Sequence, residues 1–141
     1  MSYSPIVLFI YNRPKHTRKV LESLSLNKFF NQSKLIVYCD GAKNDKEIKD
    51  VILARGIVEN FDFENKPEII KREKNYGLSK SIVSGVSEVL NNFDKAIILE
   101  DDVVTSPLFL EFMNRALDQY KNNPDVWHIS GWNYPNNKSG A

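Results

Sequence analysis

The chain has 141 residues, with 19 basic and 18 acidic side chains and a formal net charge of +1. That length suits one domain around one core. The even charge balance, with no long basic run, argues against a nucleic-acid partner, and no apolar stretch approaches the ~20 residues of a membrane span.

The first predicted element is a strand over residues 5–11 (PIVLFIY), an uninterrupted apolar run of the kind buried on both faces of a parallel sheet. It is too short for a secretion signal. It leads into Asn12-Arg13-Pro14 rather than a small-residue cleavage site, so a cytoplasmic protein, at most peripheral to the inner face of a membrane, is expected. Pro14 can open a helix whose apolar face carries Val20, Leu21 and Leu24. A second strand spans 34–39 and ends in Cys39, the single cysteine, which reads as a small buried apolar residue with no internal disulfide partner. Asp40-Gly41 follows. Asn44 or Asp45 can cap the next helix, with Ile48, Val51, Ile52, Ala54 and Val58 as its stripe and Gly56 weakening its second half.

A third strand covers 68–72. Asn75-Tyr76-Gly77 is turn chemistry, and Leu78, Ile82, Val86 and Val89 then recur at helical spacing. The strand over 95–99 runs straight into Glu100, Asp101 and Asp102. Ser106-Pro107 reads as an N-cap and first helical residue, ahead of a helix with Phe109, Phe112, Met113, Ala116 and Tyr120 on one face. A last strand is expected over 126–129. Strand and helix alternate four times, which predicts an α/β domain: a mostly parallel sheet with helices on both faces. Five strands without a closing helix lead us to expect the N-terminal part of a longer protein.

In a parallel sheet all strand C-termini share one edge, and ligands bind just beyond it. That edge would carry Asn12 and Arg13, Asp40, Arg72 with Asn75, the Glu100-Asp101-Asp102 cluster, and Trp132 with Asn133. Three adjacent acids repel one another, and a divalent cation would offset the repulsion. Mg²⁺ or Mn²⁺ on carboxylate oxygens can bridge phosphates, while Arg13 and Arg72 add charge-assisted bonds. The set suits a nucleotide diphosphate. Each residue also has a plainer reading. Asp40-Gly41 can be a turn, Arg72 a surface pair with Glu73, Arg13 a solvated helix start, and Lys80 a solvated helix residue. His16 reads as exposed. His128 reads as lining or core more readily than as a ligand. Neither G-x-G-x-x-G nor G-x-x-x-x-G-K-[ST] is present, which argues against a dinucleotide enzyme or a P-loop NTPase.

PIVLFIYNRP, YCDG, REKNYGL, ILEDDVVTSPLFLEFMN and ISGWN, in that order and spacing, resemble the GT-A nucleotide-sugar glycosyltransferases. The likeness is to bacterial family 2-like enzymes of surface polysaccharide synthesis and to the N-acetylglucosaminyltransferase that starts complex N-glycan branching. The resemblance implies a Rossmann-like nucleotide-binding half that takes a UDP-hexose or UDP-N-acetylhexosamine donor and a glycan or lipid-linked acceptor. It implies Asp102 as the metal ligand, Asp101 and Glu100 near ribose, and Asp40 on the uracil ring. Tyr11, Asn12 and Arg13 would form the nucleotide loop, Arg72 and Asn75 would flank the donor, and Trp132 and Asn133 would wall the sugar. It places the catalytic base beyond residue 141, so this chain alone is expected to turn over little or nothing; Glu111 and Asp118 fall on a helix expected to pack away from the cleft. A homodimer through the apolar edge near residues 127–134 would be compatible. A sugar-phosphate nucleotidyltransferase is the alternative enzyme, but residues 11–14 lack its glycine-rich loop. A noncatalytic sugar-binding module using Trp132 and Tyr134 is the alternative outside catalysis. A phosphoryl-transfer enzyme with Asp101 as nucleophile would carry its acids on the first strand, which has none.

Overall fold

The computed structural model describes residues 2–132. Strand and helix alternate without exception: β1 (Ile6–Ile10), α1 (Pro14–Ser25), β2 (Leu35–Cys39), α2 (Ile48–Asn60), β3 (Glu68–Lys71), α3 (Leu78–Leu90), β4 (Ile97–Glu100) and α4 (Phe109–Tyr120), with a 3₁₀ turn at Phe30–Gln32. The four strands make one all-parallel sheet in the order β3-β2-β1-β4. The α/β class read from the sequence is the class observed.

The apolar runs are uninterrupted because both faces are covered. From β1, Ile6, Leu8 and Ile10 enter a core shared with α1, α2 and α4. Val7 and Phe9 enter a second core with Ile36, Tyr38 and Val89, packed by Ile82 and Val86 of α3. Topology requires this division. The first two crossovers step outward across the sheet with their helices on one face. The β3-to-β4 crossover returns across the whole sheet, and a right-handed return must carry its helix over the other face.

Several boundaries differ from the sequence reading, each for a local reason. Asn44 does not cap α2; its Oδ1 accepts the Lys46 N–H at 3.0 Å and its carbonyl accepts that of Glu47, closing a separate turn before the helix begins at Ile48. Within α2, Val51, Ala54 and Val58 are buried while Ile48 and Ile52 face solvent, and the helix passes through Gly56 without interruption. Likewise α4 starts at Phe109, because the Ser106 carbonyl accepts the Phe109 N–H in a turn at 3.1 Å instead of a side-chain cap forming. Phe112, placed on the buried face by the spacing, is 54% exposed, and Tyr120 is also exposed.

The expected strand over 126–129 does not form. The chain leaving α4 turns on itself around Pro124: the Val126 N–H goes to the Asn123 carbonyl at 3.2 Å, and the Trp127 indole N–H goes to the Pro124 carbonyl at 2.6 Å. Ile129 packs on the main core, whereas Trp127 is 92% exposed. Among the described residues β4 is therefore an edge strand. Those residues also include no helix long and apolar enough to cross a membrane.

Two buried asparagines dock α4. Asn27 donates to Thr105 Oγ1 at 3.0 Å and accepts the Leu110 N–H at 2.9 Å. Asn114 accepts the Ser4 N–H at 2.8 Å and donates to the Leu110 carbonyl. A buried polar group left without its partner costs about 1–3 kcal/mol. Asn27→Ala strands the Leu110 N–H and leaves the Thr105 hydroxyl with Ser23 as its remaining partner, so urea unfolding is expected to show a loss of about 1–3 kcal/mol. A loss no larger than that of an exposed control such as Asn92→Ala would contradict this account of how α4 is held.

Candidate functional site

The carboxyl ends of the strands open onto a cleft of about 470 Å³. Every strand reaches it through the loop that follows. The β1 loop contributes Tyr11, Asn12 and Arg13. The β2 loop contributes Asp40 and Lys43. The β3 loop contributes Asn75 and the start of α3 at Gly77, Leu78 and Ser81, and β4 contributes Glu100, Asp101 and Asp102. Eight of the residues singled out from the sequence thus meet in one place.

Asp40 is the structural centre of one wall. It is 5% exposed, and its carboxylate accepts four hydrogen bonds: from the N–H groups of Gly41 (2.9 Å) and Tyr76 (2.8 Å) on Oδ1, and from Gly77 N–H (3.1 Å) and Asn75 Nδ2 (3.3 Å) on Oδ2. These fill the four lone-pair positions of a carboxylate. Asn75 also donates to the Gly41 carbonyl at 2.9 Å. Asp40 is thus a clamp that fixes the β3–α3 loop, with no acceptor position left over for a base. The two flanking glycines answer to geometry. A Cβ on Gly41 would lie 2.6 Å from the Lys74 carbonyl carbon, so the loops approach as closely as they do only without one, and Gly77 enters α3 at φ +74°.

Beneath this wall lies Arg55 of α2, which no sequence signal picked out. Its Nη2 reaches the carbonyls of Cys39, Asp40 and Arg72 at 3.3, 3.1 and 2.7 Å, tying the ends of β2 and β3 together. Tyr11 holds the next loop: its hydroxyl donates to Glu47 and accepts the Lys43 N–H. Burial, and then the Glu47 bond, raises its pKa above the ordinary tyrosine value.

Arg72 does not line the cleft. Its guanidinium stacks on Tyr38 and Tyr76 (5.0 and 4.6 Å to the ring centroids) and pairs with Glu88 at 3.2 Å. Burial pushes the Glu88 carboxyl up, but bonds from Tyr38 and Arg72 outweigh it and hold it below the usual range. The Tyr38 phenol, by its own burial and its bond to Glu88, is pushed up to about 12. Trp132 also lies outside the cleft, in a neighbouring groove along the β4 edge whose lining shares Glu100 with it. Asn133 and Tyr134 fall outside the described residues. His16 and His128 are exposed, and Cys39 is buried, its thiol pushed up to about 12 by desolvation.

The opposite wall is the acid cluster. Pro14 keeps the preceding Arg13 extended (φ −119°, ψ 79°), and the Arg13 carbonyl accepts both the N–H and the hydroxyl of Thr17 at 2.9 Å. From that fixed backbone the guanidinium hydrogen-bonds Asp101 Oδ1 and lies 3.8 Å from Asp102 Oδ2. Asp101 is 4% exposed, and its Oδ2 is buried without a hydrogen-bond partner. Asp102 is half exposed.

No family model matches this chain, and no curated protein is similar enough to match it.

Among the described residues, no three His, Cys, Asp or Glu groups converge as a ready-made cage. Mg²⁺ and related ions seldom require one; they take one or two carboxylates and complete their shell with water and substrate phosphates. Asp102, with an open face, and Asp101, with an unsatisfied oxygen, fit that mode.

Removing the clamp tests this assembly. Asp40→Ala leaves the amides of Gly41, Tyr76 and Gly77 without an acceptor, for an expected loss of about 3 kcal/mol. Hydrogen exchange is expected to quicken at Tyr76 and Gly77 well beyond any change at Leu8 or Val37. Equal change at all four amides would mean that Asp40 only supports global stability.

Proposed function

We propose that this chain is the donor-binding part of a metal-dependent glycosyltransferase, binding a UDP-hexose or UDP-N-acetylhexosamine for transfer to a hydroxyl of a glycan or lipid-linked acceptor. One observation carries the reading: a buried aspartate with an unsatisfied oxygen and a half-exposed aspartate stand side by side at the carboxyl edge of a parallel sheet, in a cleft of nucleotide dimensions. The order of motifs, from the Tyr11-Asn12-Arg13 loop to Glu100-Asp101-Asp102, supports it.

In this reading Asp102 and the free oxygen of Asp101 would hold Mg²⁺ or Mn²⁺. The ion, when bound, would neutralise the diphosphate as it becomes the leaving group. The chain's own residues position the donor. Glu100 can accept from ribose hydroxyls. Asn12 can offer its side-chain amide to the base, a role that the filled carboxylate of Asp40 leaves to it, while Asn75, whose NH2 is held by Asp40 and the Gly41 carbonyl, keeps only its amide oxygen. Leu78, exposed at the α3 entrance, supplies an apolar surface. No residue of the cleft is assigned as the base that takes the acceptor proton.

Calorimetric titration of UDP with and without Mn²⁺ tests the proposal. Binding is expected to need the metal and to fall at least about tenfold in Asp102→Ala, the scale of losing a charge-assisted contact. Metal-independent UDP binding, or binding unchanged by Asp102→Ala, would sink the assignment.

A further inference from the structure

The charge inside the cleft is unbalanced: four carboxylates (Asp40, Glu100, Asp101, Asp102) line it against two cations, Arg13 and Lys43. Asp40 is satisfied by its loop. The deficit therefore falls on the Glu100–Asp102 wall, where Arg13 is the cation that touches the acids. A buried carboxylate requires a partner, and Arg13 satisfies only half of Asp101, whose Oδ2 stays buried and unbonded. The Arg13 backbone is pinned by Pro14 and Thr17, but its side chain is 45% exposed and its reach to Asp102 is a loose 3.8 Å. It can swing without any movement of the fold.

We propose that Arg13 is an internal counter-ion that occupies the acid pair until a divalent ion replaces it, and that this exchange makes metal and diphosphate bind cooperatively. The inference rests on the metal–nucleotide reading above. A metal arriving alone between Asp102 and the free Oδ2 of Asp101 sets two positive charges beside the guanidinium that holds Oδ1, must push Arg13 off the acid pair, and so binds weakly. A metal arriving with a diphosphate gives the displaced guanidinium a new partner, because a planar donor fork suits phosphate oxygens as well as carboxylate. The cost of displacement is then offset by a bond that exists only in the ternary complex. Coupling of this kind is reciprocal: nucleotide must tighten metal by the factor by which metal tightens nucleotide.

The test is Mn²⁺ affinity, followed by the electron paramagnetic resonance of the free ion, with and without saturating UDP, in the wild-type chain and in Arg13→Met and Arg13→Lys. In the wild type UDP is expected to tighten Mn²⁺ about tenfold or more. In Arg13→Met, Mn²⁺ alone is expected to bind tighter than in wild type and the UDP effect to shrink severalfold, with Arg13→Lys between. Because Arg13→Met leaves Asp101 unpaired, thermal unfolding serves as a second readout: Mn²⁺ is expected to raise its Tm more than that of the wild type. Mn²⁺ binding that is unchanged or weaker in Arg13→Met, with no larger Tm rise, overturns the inference while Asp102-dependent UDP binding keeps the donor-site reading. Tighter Mn²⁺ in Arg13→Met with no UDP binding in any variant removes the donor-site reading and the cooperativity, leaving Arg13 as a counter-ion only.

Discussion

A single buried carboxylate organises the binding edge of this domain. Parallel sheets deliver all their strand ends to one side, but they do not fix the loops that follow. Here Asp40 takes four donors from its own loop and the β3–α3 loop. Arg55 takes three carbonyls from the strand ends below. The two groups meet at opposite poles of the Asp40–Gly41 peptide, and beyond it the carboxylate collects N–H groups while the guanidinium collects C=O groups. Together they satisfy backbone polarity that would otherwise be stranded where the sheet ladder stops. The cost of burying a charge is offset by the number of fixed dipoles around it.

The two walls of the cleft treat carboxylates in opposite ways. Asp40 is saturated, so its charge is spent on architecture. Asp101 is just as buried, yet one oxygen has no partner, and the cation that serves the other is half in solvent. A protein that needed Asp101 only for stability would gain from a second donor or from an apolar replacement. Incomplete satisfaction at a strand end, beside the open face of Asp102, is the feature expected where a ligand completes the set.

The sequence made the framework legible and left the pairings hidden. Continuous apolar runs such as IVLFI and LIVYC announce buried parallel strands, and the acids at the end of β4 mark the edge where the cleft opens, because both signals are local. Arg55 could not be seen: it lies in mid-helix, and its partners come from two other loops. The turn reading of Asp40-Gly41 was near the mark, but the reason for Gly41 is contact with the backbone of residue 74, a long-range matter. Arg72 looked like a cleft cation from its strand-end position, whereas Tyr38 and Glu88 on the α3 side hold it elsewhere. The strand expected over 126–129 rests on a short apolar run that opens in a local turn after α4, where the Val126 N–H goes to the Asn123 carbonyl, a competition that periodicity does not register.

The site also differs from the way many parallel α/β folds bind phosphate. Their usual anion site is a helix N-terminus opening from a glycine-rich loop, where free amides meet the positive end of the dipole. In this chain two helices begin beside cleft-lining residues: α1 opens at Pro14, which has no N–H to offer, and the α3 entrance already holds an anion, since Asp40 accepts the amides of Tyr76 and Gly77. The clamp that makes the loop rigid thereby lowers the potential that would draw a phosphate to it. With that device committed, and with carboxylates outnumbering cations in the lining, a diphosphate entering the cleft would need positive charge to enter with it. In the proposed donor-site reading that charge would be an ion held by Asp101 and Asp102, on the wall where one carboxylate oxygen stays unbonded and Asp102 is half exposed.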